Sequence, residues 1–221
     1  MAVSPSQPDT AAIVVAAGRG ERFGAPKQFL VAGGARLVDR AVETAAATCD
    51  EVVVVLPPDR AWDGPAVARA VPGGDTRAAS VRAGLAAIDP HAEIVVVHDA
   101  ARPLATPELF ELVIDTVRAG ADGAVPATPV TDTIKRVDGD RVVETVDRAG
   151  LIAVQTPQAF RASALRAAHE HGSEATDDAA LVEANGGAVV VVAGDPRNLK
   201  VTTVADLPIV EALLAEVEAT S

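Results

Sequence analysis

The sequence predicts an α/β fold, a mostly parallel sheet flanked by helices, and two patterns carry that prediction. Short apolar, β-branched runs recur at residues 11–16, 52–56, 94–97, 123–126 and 189–192, as in strands buried on both faces. Between them lie alanine-rich amphipathic stretches of helical length at 37–47, 76–88, 107–119, 162–171 and 177–184, and a last one at 204–220. Strand–helix alternation of this kind gives a single Rossmann-like, twisted sheet with helices on both faces. With 221 residues, 49% hydrophobic and 23% charged, the chain is long enough to bury a real core and too apolar for wholesale disorder.

Taken in order, residues 1–9 carry Ser4, Pro5, Ser6 and Pro8 and read as a disordered tail, leaving one domain over 10–221. The first run enters the glycine-bearing stretch A-A-G-R-G-E-R-F-G-A-P-K-Q, so the loop falls at the carboxyl end of a strand, where open α/β sheets bind ligands. The helix at 76–88 has Asp75 or Thr76 available as its cap, and T-D-D at 176–178 reads as another helix start. One stretch breaks the alternation. T-I-K-R-V, D-G-D and R-V-V-E-T-V read as a β-hairpin around an Asp-Gly turn, a protruding arm within 129–150. In the last helix Pro208 falls in the first turn, where proline is tolerated.

Charge and composition remove several classes of function. Nineteen basic residues against 31 acidic ones give a net charge of −12, the wrong sign for non-specific nucleic-acid binding. No Tyr, one Trp and four Phe leave little to stack bases on. No apolar run approaches the roughly 18 residues of a membrane span, and the start M-A-V-S-P-S-Q-P lacks the basic and apolar regions of a secretory signal. Cys49 is the only cysteine, so neither an intrachain disulfide nor a thiolate metal site is available. A cytoplasmic protein is the expectation.

In this acidic chain Arg19, Arg22 and Lys27 bring three positive charges into nine residues beside Gly18 and Gly20, which reads as a cradle for a polyphosphate. The dinucleotide pattern G-x-G-x-x-G fails at Phe23, and no Gly-Lys-Ser/Thr completes a Walker loop. His98 and Asp99 are adjacent on a strand and point to opposite faces, so they do not make a base with its orienter. His169 and His171 are two apart on a helix and do not share a face for a metal. Only three lysines occur, Lys27, Lys135 and Lys200, against sixteen arginines, and the two cations are not interchangeable at phosphates.

The glycine loop resembles the signature A-A-G-x-G-x-R-(M/F)-…-P-K of nucleotidyltransferases that activate sugar or alditol phosphates, matched by Ala16, Ala17, Gly18, Gly20, Arg22, Phe23, Pro26 and Lys27. Val15 stands where that family usually has proline. G-G-D-T-R-A-A-S at 73–80 resembles the motif of the cytidylyltransferase branch, which implies that Gly74, Asp75 and Ser80 read the cytosine edge and that Arg77 supports the loop. H-D-A-A-R-P at 98–103 is similar to the segment beside the ribose, phosphates and metal, implicating Asp99 and Ala100 in nucleotide binding and Arg102 in acceptor binding. T-D-T-I-K-R and T-V-D-R-A-G-L resemble the arm of the 2-C-methyl-D-erythritol 4-phosphate cytidylyltransferase family, in which Thr133 and Arg148 would hold the acceptor phosphate across a homodimer interface. Q-T-P-Q-A-F at 155–160 is a further landmark, and N-L-K-V-T implies that Lys200, on a short strand, contacts the reacting phosphates.

The resemblance implies transfer of CMP from CTP to 2-C-methyl-D-erythritol 4-phosphate, with Arg22, Lys27, Arg148 and Lys200 as the charged machinery and Mg²⁺ or another divalent cation on the phosphates near Asp99. An ionised acceptor phosphate needs no general base, so a site without a catalytic His or Cys is consistent with it. With the last helical stretch at 204–220, a fused cyclodiphosphate synthase domain is not expected. A cytidylyltransferase for ribitol 5-phosphate or another alditol phosphate would share nearly every motif. A non-catalytic nucleotide-binding protein is the remote alternative.

Overall fold

A computed structural model describes residues 9–18, 20, 26–170, 174–175 and 177–220. The chain begins with β1 (Thr10–Val15), a 3₁₀ turn at Lys27–Phe29, the short hairpin β2 (Val31–Ala32) and β3 (Ala35–Arg36), and α1 (Leu37–Thr48). It continues through β4 (Glu51–Leu56), β5 (Arg69–Pro72), α2 (Arg77–Ala87), β6 (Ile94–Asp99) and α3 (Pro107–Arg118). β7 (Gly123–Pro129) precedes the arm strands β8 (Ile134–Asp138) and β9 (Arg141–Val146). Then come β10 (Ile152–Val154), β11 (Gln158–Arg161), α4 (Ala162–His169), α5 (Asp178–Ala184), β12 (Val189–Ala193) and α6 (Asp206–Thr220).

β1 is the centre of the sheet. It pairs in parallel with β4 on one side and β6 on the other, and β5 extends the β4 edge. Because both faces of β1 are covered, its period-2 alternation sorts side chains between two cores. Ala12 and Val14 join the core that includes Val38, Val42, Phe110 and Val113 of α1 and α3, whereas Ala11 and Ile13 join that of Val81, Leu165 and Val182 from α2, α4 and α5. Beyond β6, β11 runs antiparallel between β6 and β7, and β12 pairs in parallel with the far edge of β7. Val154 lies opposite Ala127 and Ala159 opposite Ala124, so β10 and β11 form one antiparallel line along β7, interrupted at 155–157 by a stretch that includes the cis Thr156–Pro157 bond.

Local chemistry explains the helix starts. Thr76 Oγ1 accepts from Ala79 N at 3.0 Å to cap α2, Asp177 caps α5 through Ala180 N at 3.0 Å, and α3 has Thr106 as cap with Pro107 in its first turn. Asp206 Oδ2 receives the N–H groups of Thr202 and Thr203, each at 2.7 Å, and so ends the preceding loop at the start of α6. The arm pairs only with itself, turns at Gly139 with φ +54°, and leaves Val137, Val142 and Val143 exposed.

The alternation expected from sequence is present, with several differences. β5 and β11 were not anticipated, because R-A-V-P and Q-A-F-R offer too few apolar residues to stand out; the edge position of β5 and the pairing of β11 with two neighbours make them strands. Lys200 does not lie on a strand; residues 199–201 are irregular and held by Val201 N donating to Ala101 O at 2.8 Å. Asp9, assigned to the tail, is instead tied down, its N–H donating to Asp50 Oδ2 at 3.0 Å and its carboxylate accepting from Arg118 at 2.7 Å. Residues 1–8 of that tail and His171 lie outside the described residues.

Gly84 sets how closely α2 lies on the sheet, since a Cβ there would meet Ile13 Cγ2 at 2.5 Å. Helix propensity alone favours Gly84→Ala by about 1 kcal/mol, but Ile13 is fully buried and cannot yield. Overpacking of about 1–3 kcal/mol should prevail. Denaturant unfolding should therefore show a lower midpoint for Gly84→Ala; a higher one would mean that α2 shifts freely on β1.

Candidate functional site

The parallel ladder is continued past the strand ends by Ala16 N donating to Val55 O at 2.8 Å and Ala100 N donating to Val15 O at 3.1 Å. Loops after β1, β5 and β6 therefore leave the sheet side by side at its carboxyl edge, and with residues 200–202 they enclose a cleft of about 420 Å³. Ala16, Ala17, Gly18, Gly20, Lys27, Gly74, Asp75, Ser80, Asp99 and Lys200, all read from sequence as site residues, line it. Arg22, assigned to the same loop, lies outside the described residues, as do Arg19 and Phe23.

The floor of the first loop is held by Gln28, which is 4% exposed and whose Nε2 donates to Ala16 O at 2.6 Å and Gly18 O at 2.9 Å. The loop also approaches the 73–76 turn closely: a Cβ on Gly73 would stand 2.4 Å from Ala17 Cβ, so only glycine fits. Ser80 is buried and its hydroxyl is committed within the turn, donating to Thr76 O at 3.0 Å and accepting from Gly74 N at 3.2 Å. Ser80 thus shapes the turn that presents Gly74 and Asp75.

Asp99, at the end of β6, is the electrostatic centre. Its Oδ2 accepts from Lys200 Nζ at 2.6 Å and its Oδ1 from Arg77 Nε at 3.3 Å. Burial acts to raise its pKa, but the charges of Arg77 and Lys200 outweigh it and hold the carboxyl well below the usual carboxylate range. Arg77 in turn donates from Nη1 to Asp178 Oδ2 at 2.6 Å. Lys27, on its 3₁₀ turn, donates to Val201 O at 2.5 Å, so the residue beside Lys200 is the one that brings Lys27 to the same edge of the cleft.

His98 is fully buried, 5.1 Å from the Phe110 ring, and desolvation pushes its pKa down to about 4, so it is neutral near pH 7. Its tautomer follows by elimination. Nε2 faces Arg102 O at 3.2 Å and must donate; Nδ1 then accepts from Thr156 Oγ1 at 3.2 Å, leaving that oxygen to accept from Asp99 N at 3.0 Å. His98 is thereby tied through Thr156 to the backbone N–H of Asp99, with both ring nitrogens engaged. Thr156 joins this chain although the sequence reading singled out only its proline-marked segment.

Four expected residues lie elsewhere. Ala100 does not line the cleft: its N–H is spent on Val15, its side chain is in the core, and Ala101 takes the lining position. Arg102 lies behind the cleft, donating to Asn198 O at 2.8 Å and Val154 O at 3.4 Å, while its buried Nε finds no partner among the described residues. Thr133 and Arg148 do not line the cleft either. Arg148 is exposed, bonds to Thr131 O, and borders a second groove with Ile152 and Val191 at the base of the arm. Among the described residues no three His, Cys, Asp or Glu side chains gather as a metal site.

The family model described as IspD: 2-C-methyl-D-erythritol 4-phosphate cytidylyltransferase matches residues 10–216. The chain is 49% identical to the 2-C-methyl-D-erythritol 4-phosphate cytidylyltransferase of Nocardia farcinica, with 92% of this chain and 93% of that protein covered. It is 46% identical to the protein of the same name from Streptomyces coelicolor, with 93% and 85% covered. The crystal structure of 2-C-methyl-D-erythritol 4-phosphate cytidylyltransferase from Thermus thermophilus superposes with a TM-score of 0.79 at 36% identity, covering 91% of this chain and 97% of that one. The cleft at the carboxyl edge, with its glycine loop and two lysines, is thus found in a chain that belongs to the 2-C-methyl-D-erythritol 4-phosphate cytidylyltransferase (IspD) family.

Proposed function

We propose that this protein transfers CMP from CTP to 2-C-methyl-D-erythritol 4-phosphate, forming 4-diphosphocytidyl-2-C-methyl-D-erythritol and releasing pyrophosphate, a step of the non-mevalonate isoprenoid pathway. Family membership over residues 10–216 supports the substrates. The observation that carries the chemistry is the meeting of Lys27 and Lys200, from opposite ends of the chain, at one glycine-lined cleft.

An oxygen of the ionised acceptor phosphate attacks the α-phosphorus of CTP; the bond to the bridging oxygen breaks and pyrophosphate departs with that electron pair. No proton must be removed from the nucleophile, which suits a site whose buried histidine is neutral and engaged on both nitrogens. The chain must supply alignment and positive charge where negative charge gathers. Lys27 and Lys200 supply it from the cleft wall, and Arg22, on the same loop, adds to it. Ala16, Ala17, Gly18 and Gly20 wrap the triphosphate, and Gly74 and Asp75 read the base on the turn closed by Ser80. Arg102, whose guanidinium donates to Asn198 O and Val154 O behind the cleft, would reach the acceptor phosphate only by leaving those carbonyls.

Asp99, ionised and facing the cleft, is the carboxylate that would hold Mg²⁺ or another divalent cation. One protein carboxylate suits an ion whose remaining ligands are waters and substrate phosphates. Such an ion supplies further charge to the α-phosphate and the leaving pyrophosphate.

The arm supports a homodimer. Thr133 and Arg148 are absent from their own cleft, and the arm that carries them pairs only with itself and exposes three valines. Placed against a second copy, the same residues would complete the acceptor site of the partner. A cytoplasmic location, where CTP is available, suits this substrate pair, and among the described residues no helix is long and apolar enough to cross a membrane.

Pyrophosphate release with CTP and Mg²⁺ should be strong with 2-C-methyl-D-erythritol 4-phosphate and weak with ribitol 5-phosphate; the reverse preference would reassign the acceptor. Lys27→Ala should lower kcat by about 10²-fold, as for loss of a transition-state charge contact, and an unchanged kcat would remove Lys27 from the mechanism. Arg148→Ala should raise KM for the acceptor more than for CTP. Mixing Arg148→Ala with Lys27→Ala subunits should restore activity, since a hybrid dimer holds one intact composite site. Failure of exchanged subunits to recover activity would overturn the shared site.

A further inference from the structure

Behind the cleft lies a buried chain of polar groups that the reaction as described does not use. Asp178, at the first turn of α5, is 1% exposed, and its two carboxylate oxygens have different partners. Oδ2 accepts from Arg77 Nη1 at 2.6 Å, and Oδ1 accepts from Nε2 of His169, itself 4% exposed on α4, at 2.9 Å. Neither Asp178 nor His169 lines the cleft. As a device for stability the cluster is poor, because burying charges costs about as much as pairing them returns.

Its geometry gives it another use. The Arg77 guanidinium touches Asp99 by one nitrogen at 3.3 Å but Asp178 at 2.6 Å, so the closer anchor lies on the side away from the cleft. A guanidinium freed from that anchor would fork onto both oxygens of Asp99, the favoured arrangement for Arg and carboxylate. It would then compete with Lys200 for Oδ2 and draw the carboxylate toward α2. A second tie acts on the same turn: Glu174 Oε1 accepts from Thr76 Oγ1 at 3.0 Å and from Arg82 at 3.1 Å.

We propose that Asp178, oriented by His169, is a positioning residue for cytidylyl transfer: it restrains Arg77 to one oxygen of Asp99 and leaves the other for Lys200. The role in transfer rests on the function proposed above; the restraint of Arg77 does not.

Asp178→Asn keeps the shape and an acceptor but loses the charge. It should lower kcat, per folded enzyme, by about tenfold, within the range that small misplacement of reacting groups produces, with KM for the acceptor little changed. In an Arg77→Lys background, which cannot fork, the same substitution should cost far less, because residues acting through one another are not additive. His169→Gln, whose amide can donate to Asp178, should keep most of the kcat, whereas His169→Leu should lose it. A kcat within twofold of wild type for both Asp178→Asn and His169→Leu would overturn the proposal, and so would a loss undiminished by Arg77→Lys. The Arg77 Nε–H resonance of the unliganded protein gives a readout that needs no substrate. It should shift in both Asp178→Asn and His169→Leu but remain near its wild-type position in His169→Gln. An unmoved resonance would overturn the restraint even if the wild type were silent with every acceptor, the result that would instead overturn the proposed function.

Discussion

The parallel pairing of β1 with β4 and β6 is the constraint from which the rest of the architecture follows. A strand hydrogen-bonded on both edges and covered on both faces has no freedom of register, since a slip by one residue would exchange Ile13 and Val14 between two different cores. With β1, β4 and β6 in register, their carboxyl ends are level, and the loops that leave them are forced into proximity. The glycines matter at that point: Gly73 admits the first loop to within contact of the neighbouring turn.

Charge at the cleft is organised around a carboxylate rather than around the cations alone. Asp99 stands between Arg77 and Lys200, and its backbone N–H is fixed through Thr156 to the neutral ring of His98. Low local dielectric strengthens each of these contacts and makes an unpaired member costly, so such a network has few alternative arrangements. The phosphates of a nucleotide entering this cleft would meet cations that already have protein partners, Val201 O for Lys27 and Asp99 for Lys200. Binding therefore exchanges one set of charge contacts for another, which limits the cost of holding positive charge in place before the substrate arrives.

The arm obeys different physics. It has no core of its own, being a two-stranded ribbon with exposed valines, and an isolated hairpin is marginal in water. Cross-strand pairs, Lys135 with Thr145 at 2.6 Å and Arg136 with Glu144 at 2.7 Å, supply only modest support. A ribbon of this kind gains most from a surface to lie against.

Much of this was legible in the sequence where a local rule governs. The period of the apolar runs gave the central strands and most helices, Asp75 or Thr76 and the T-D-D run marked helix starts whose caps the structure assigns to Thr76 and Asp177, and D-G-D marked the arm's turn. The glycine loop was legible as an anion cradle from its charges, whereas the 73–80 motif, Asp99 and Lys200 were named through the family resemblance; the fold brings residues of all of them to one cleft. Tertiary structure decided what local pattern does not encode. It made strands of Arg69–Pro72 and Gln158–Arg161 by offering them partners, turned Ala100 inward in favour of Ala101, and took Arg102, Thr133 and Arg148 out of the cleft wall. It also joined Lys200 to Asp99 and Asp178 to Arg77, each pair 101 residues apart. A sequence specifies backbone period and side-chain chemistry over a few residues, whereas the meeting of groups so distant along the chain depends on how every intervening element packs.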